Sequence, residues 1–155
     1  QSQQNQDKKM IKTSVAFIVA VIVTYVVGVF FVGQGNLANV SAMGLTVEFG
    51  DRVDTLLHDV VHMIAIYLPL VTIGLFIAFP VAAGLFRRKP DLRLFGYMLA
   101  GFVALIAMHV IMKMVLGLTG VAPTRTVLGL LAQGVAGAVG GYIFHRLTRK
   151  NPEAS

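Results

Sequence analysis

The chain has 155 residues, of which 56% are hydrophobic and 13% charged, with a formal net charge of +6 and no cysteine. That composition leaves no room for a sizeable soluble domain beside long apolar segments, and the missing thiols exclude disulfides, thiolate metal sites and thiol catalysis. The positive balance is compatible with nucleic acid, but nearly all basic residues flank apolar runs, the pattern of membrane topology determinants, and no nucleic-acid partner is expected.

Residues 1–9 are polar and low in complexity and are expected to form a disordered cytoplasmic tail. Met10 stands as an alternative start, with the residues before it an added tail. The first apolar run, about 10–33, exceeds the roughly 20 residues that an α-helix needs to cross a bilayer. It is too long for a signal-peptide core, and no small-residue cleavage pattern follows it.

An outer connection of about 34–59 opens with the turn chemistry of Gly33-Gln34-Gly35-Asn36. Leu45–Phe49 is short and partly alternating, which fits a small strand or an extended stretch. From Asp51 the pattern becomes helical, with Asp51, Thr55, His58 and His62 on one stripe. This predicts a second span, about 60–86, that starts early with a polar turn or two projecting outward. An interfacial helix bending into the span is the alternative. Pro69 and Pro80 within this span favour kinks.

The turn Arg87-Arg88-Lys89-Pro90-Asp91 is tight and predicts that the second and third spans are antiparallel neighbours. The third span covers about 92–118. Gly117–Pro123 turns the chain back, and Pro123 suits the first turn of the fourth span, about 124–147. The fold expected is therefore a single all-α membrane domain, four transmembrane helices in an antiparallel bundle.

Orientation follows from charge. Lys8, Lys9 and Lys12, then Arg87, Arg88, Lys89 and Arg93, then Arg146, Arg149 and Lys150 share one side if the chain crosses four times. Glu48, Asp51, Asp54 and Asp59 lie on the other, with Arg52 and Arg125. The positive-inside rule places both termini in the cytoplasm, in a cell membrane and most simply a bacterial inner membrane.

The fourth span carries Gly134, Gly137, Ala138 and Gly141 on a small-residue stripe, with a GxxxG step between Gly137 and Gly141. Lipid gives helices no hydrophobic reason to associate, so close backbone approach supplies the contact, within the chain or between subunits. Gln133, one turn earlier, is expected to hydrogen-bond a neighbouring helix.

His109 and Lys113 share a face of the third helix in its outer half. Ionisable groups at that depth are costly and seek a partner or a wet cavity. With His62, Asp59, Arg125 and Gln133 they are expected to converge on an outward-facing pocket for an ion or small ligand; snorkelling of Lys113 is the simpler alternative. His58 and His62 stand one helical turn apart, a spacing that suits a transition metal such as zinc, copper or nickel. The string His58-Asp59-Val60-Val61-His62 resembles one histidine box of membrane desaturases and alkane hydroxylases. Those enzymes need several boxes for two irons, and this chain has four histidines in all, so the resemblance ends at five residues. Haem b clamped between His62 and His109 is a further option.

There is no Gly-x-Ser-x-Gly elbow, no phosphate-binding Lys loop and no pair of acids within a span. The first span lacks the embedded carboxylate of small multidrug transporters, and the Gly-Asn-aromatic pattern of fluoride channels is missing. The leading expectation is a non-enzymatic membrane component, either an accessory subunit of a larger complex or a small oligomeric carrier or channel. A metal- or haem-binding redox module and an outward-facing site for an anion or lipid headgroup, built on Lys113 and Arg125, are the alternatives.

Overall fold

The computed structural model describes residues 1–46, 48–117 and 127–149. Among them there are five α-helices and no strand: α1 Ser2–Ala42, α2 Phe49–His62, α3 Tyr67–Leu85, α4 Arg93–Leu116 and α5 Val127–Thr148, with a 3-10 turn at Pro90–Leu92 before α4. Four of them, α1, α3, α4 and α5, are long and apolar enough to cross a membrane.

The helices are built inside out relative to a soluble protein. On α1 the buried stripe holds Ala16, Ala20, Thr24, Tyr25 and Gly28, while Ile18, Ile22, Val26 and Phe30, four residues apart, are exposed. Small and polar residues thus share the inward face of α1 with Val21, Val29 and Val32, while its outward face is large and apolar, a distribution that suits lipid. The same holds on α4, where Tyr97, Gly101, Leu105 and His109 form the buried i, i+4 row.

Helix α1 has 41 residues, a rod of about 60 Å at 1.5 Å per residue. It exceeds the expected 10–33 at both ends. Residues 2–9, expected as a disordered tail, continue the helix, because Gln and Lys lose little side-chain freedom in a helical turn. At the other end α1 absorbs the expected turn at Gly33–Asn36.

The outer loop then turns at Met43 and Gly44 and reaches α2 at Phe49; Leu45, Thr46 and Glu48 form no strand, Glu48 is extended (φ −86°, ψ 166°), and Val47 lies outside the described residues. Glu48 caps α2 through a reciprocal box with Asp51, whose Oδ2 accepts the Glu48 N–H at 2.9 Å. The helix lays Leu56 and Val60 on the core, keeps Asp51 and Asp54 outside and half-buries Asp59. It does not run on into the span, as an early start of the second span would require. The chain turns at Met63–Ile66, and α3 begins at Tyr67. Pro69 accounts for the break: it sits in the first turn of α3, and a helix continuing through it from α2 would bring its ring against the carbonyl four residues back, that of Ala65. Pro80 by contrast lies within α3.

Helix α4 packs on α3 and on α5, and α1 packs on α5, α2 and α3. α4 ends in a left-handed cap at Gly117, φ 62°, whose N–H returns to the Lys113 carbonyl at 3.0 Å. The core has two characters. Toward the α3–α4 turn it is aromatic, with Phe79 stacked on Phe144 at 4.5 Å and Tyr97 edge-on to Phe144 at 5.0 Å. Toward the other end it is polar.

Candidate functional site

Three features bear on function: a buried polar layer, a cationic hollow at one end, and an open apolar groove.

The polar layer is centred on Gln133 of α5, which is 1% exposed. Its Nε2 donates to the Gly28 carbonyl of α1 at 3.1 Å, and its Oε1 accepts the Tyr67 hydroxyl of α3. One amide therefore joins three helices. Gly28 is required there, because a Cβ would lie 3.1 Å from the Gln133 Oε1 and closer still to the Tyr67 hydroxyl. Tyr25 stacks at a tilt on Tyr67, 5.8 Å between centroids, and donates to the Val60 carbonyl of α2 at 2.5 Å. His109 of α4 is buried 6.0 Å from the Tyr67 ring; its Nδ1 meets the Leu105 carbonyl at 2.7 Å and so carries the proton. The His109 Nε2 and the Thr24 hydroxyl are buried with no hydrogen-bond partner among the described residues.

Against the expected outer-half pocket, the structure brings Gln133 and His109 into the core and leaves others out. His62 is exposed at the end of α2, and Lys113 is exposed in the last turn of α4. The convergence of His62, His109 and Lys113 is thus not formed; α2 ends before the span and carries His62 away. Asp59 is half-buried, with Oδ1 3.4 Å from the His58 Nδ1 and Oδ2 buried and unpartnered among the described residues. Arg125 lies outside the described residues, as do 118–126 generally.

The His58 and His62 rings are stacked, 3.8 Å between centroids and 14° from parallel, and the His62 Nδ1 is engaged by the His58 carbonyl at 2.7 Å. An imidazole lone pair lies in the ring plane. Two near-parallel planes this far apart do not share one metal at about 2.0–2.1 Å from each nitrogen. Among the described residues no three His, Asp or Glu side chains are grouped to hold a metal. A haem between His62 and His109 would join an exposed residue to one packed against Tyr67, and neither ring is directed at the other by any contact.

The small-residue stripe is spent within the chain. Gly137 of α5 lies backbone to backbone on Gly101 of α4, Gly141 on Tyr97, and Gly134 under the Phe102 ring. The opposite face of α5 meets α1, where Gly140 abuts Thr24 and Ala20. Ala138 is half-buried beside Gly137.

Sequence reasoning missed Tyr25, Tyr67 and Thr24. The signal was present: hydroxyls within apolar runs, with Gly28 one turn from Tyr25 and Thr24.

The hollow, of about 610 Å³, is lined by Lys8, Lys9 and Lys12 of α1, by Arg87 and Arg93 around the α3–α4 turn, and by Thr148 of α5. Tyr97 and Phe144 close its inner wall. The beginnings and ends of these helices therefore meet at one end of the molecule. The groove, of about 990 Å³, runs between α3 and α4 from Ile66 to Phe86 and is almost wholly apolar. Its floor carries small residues, among them Gly74, Ala78, Ala100 and Ala104.

No family model matches the chain, and neither the curated proteins nor the solved structures contain a significant match to it.

Proposed function

We propose that the chain is a non-enzymatic integral membrane protein that works as an accessory subunit, receiving a transmembrane helix of another subunit along the α3–α4 groove. In this reading the four long helices form an antiparallel bundle across a bacterial inner membrane, with both termini in the cytoplasm. The orientation is supported by the meeting of Lys8, Lys9, Lys12, Arg87 and Arg93 at one end, because basic residues are retained on the cytoplasmic side.

The observation that carries the subunit reading is the contrast between a sealed core and an open side. The side-chain hydrogen bonds that join helices deep in the core gather in the layer around Gln133, whereas the groove is open and floored by small residues. Small residues are the means by which helices approach one another in lipid. Helix α3, with 19 residues, is about 28 Å long, close to the hydrocarbon thickness, so the groove offers a partner helix contact over its full buried length.

Photo-crosslinking in native membranes tests this. A crosslinker at Ile77, 62% exposed on the groove, is expected to give a discrete protein adduct; one at Ile18, 56% exposed on α1, is not. Equal labelling at both positions, or lipid adducts alone at Ile77, overturns the subunit reading. Reporter fusions at Lys89 and Asn151 reading cytoplasmic, and at Gly44 reading external, are expected for the orientation; a reversed or mixed pattern overturns it.

A further inference from the structure

We infer that the cationic hollow at the α1–α3–α5 end binds the phosphate of an anionic membrane phospholipid. The inference rests on the membrane placement proposed above, and not on the partner in the groove.

The positive-inside rule explains why basic residues collect at this end. It does not explain why five of them line one concavity. Lys8, Lys9, Lys12, Arg87 and Arg93 come from two separate parts of the chain and border the same space of about 610 Å³, with no carboxylate among the described residues that line it. Arg88, Lys89 and Arg146 lie at the same end and are not part of it. They are the charges that topology alone accounts for.

The hollow is also partly preorganised. Arg93 is half-buried; its guanidinium donates to the Thr148 hydroxyl at 3.2 Å and lies 5.3 Å from the Tyr97 ring centroid. Lys12 donates to the Arg149 carbonyl at 3.1 Å. These two cations are held by neutral groups, so their charge is uncompensated. Lys8, Lys9 and Arg87 make no ion pair among the described residues. Five clustered positive charges with no ion pair among the described residues repel one another, and an anion entering the space relieves that repulsion. Phosphate fits the donors: arginine forks bind two of its oxygens and lysine ammoniums bind as point charges.

The source is set by the walls. Phe86, Pro90, Ala83 and Tyr97 form an apolar side to the hollow, and Phe86 also borders the groove between α3 and α4. A ligand here touches cations at one end and hydrocarbon at the other, which describes a phospholipid at the headgroup boundary. Basic pockets between the cytoplasmic ends of membrane helices suit such headgroups.

Native mass spectrometry of the purified full-length protein in detergent tests this, with phosphatidylglycerol and phosphatidylcholine added in equal amounts. Phosphatidylglycerol is expected to predominate in the bound fraction. Each cation that borders the bound phosphate is worth about fivefold in affinity, and one outside the hollow much less. Replacing Lys8, Lys9 and Arg87 together by Gln is expected to reduce the preference at least tenfold. The same change at Arg88, Lys89 and Arg146 removes equal charge from outside the hollow and is expected to alter it less than about twofold. Equal loss in both triple variants means diffuse surface charge and overturns the inference, as does no preference in the unaltered protein. Displacement of the lipid by inorganic phosphate at matched phosphate concentration assigns the site to a soluble anion and overturns the lipid. A protein that stays soluble without detergent refutes the membrane placement itself, a result separate from any lipid preference.

Discussion

The contact between Gly101 and Gly137 is the tightest point of the α4–α5 interface and yields a quantitative test. A Cβ placed on Gly137 would come 2.5 Å from the Gly101 carbonyl carbon, nearer still to its oxygen, and 3.0 Å from the Leu105 Cδ2, where ordinary contact begins at 3.4 Å. Backbone cannot swing aside as a side chain does, so the two helices must part by about 1 Å to admit a single methyl. Overpacking of this kind costs about 1–3 kcal/mol, of which alanine returns about 0.5–1 kcal/mol by removing a glycine from a helix interior. Gly101→Ala and Gly137→Ala are each expected to destabilise the protein by about 1–2 kcal/mol in SDS-driven unfolding from mixed micelles, followed by circular dichroism. The double variant is expected to cost less than the sum by at least about 0.5 kcal/mol, since the first methyl opens the gap the second occupies. Gly84→Ala serves as the control: nothing lies within 4 Å of the added Cβ, so that change is expected to be neutral or stabilising. Two neutral single variants, or strict additivity in the double, would refute the contact.

Two further outcomes follow from the site. Tyr67→Phe removes one interhelical hydrogen bond and is expected to cost about 0.6 kcal/mol, whereas Gln133→Leu removes two and leaves the Tyr67 hydroxyl without its partner, and is expected to cost more; thermal unfolding of the two single variants and the double checks the order, and a larger loss in Tyr67→Phe would contradict it. The stacked His58 and His62 rings are not arranged to chelate, so isothermal titration with zinc or nickel is expected to give the same weak binding in the unaltered protein and in His62→Ala; a stoichiometric site lost in the variant would show that the rings reorient around metal.

What the sequence made legible is what depends on composition along the chain. Apolar run length marks the helices capable of crossing a membrane, and the small residues around Gly137 mark a surface built for close approach. Gln133 stands out because an amide within a span needs a partner. What stayed hidden depends on distances between segments. Nothing local to Gly101 tells that it faces Gly137, and nothing local to Tyr67 tells that its hydroxyl reaches α5. The break between α2 and α3 lies between these cases. Pro69 announces a disturbance, but prolines are tolerated in membrane helices, and only the packed structure distinguishes a kink from a turn. That turn moves His62 out of the core and undoes the expected histidine–lysine pocket. Lys113 is the converse: its depth along an apolar run suggests burial, but it occupies the last turn of α4, beside the Gly117 cap, where its side chain is exposed.

Helix α1, with 41 residues, is longer than any other helix among the described residues. It contains no proline, and its hydrogen-bonded backbone is unbroken from Ser2 to Ala42. One end carries the lysines of the hollow; the other carries Gln34, which accepts a hydrogen bond from Arg52 of α2. A rod without a joint has no point at which it folds, and midway along it Ala20 and Thr24 bear on Gly140. The lysines at one end and the contact with α2 at the other therefore belong to one continuous rod, and α1 is the stiff link between the two ends of the molecule.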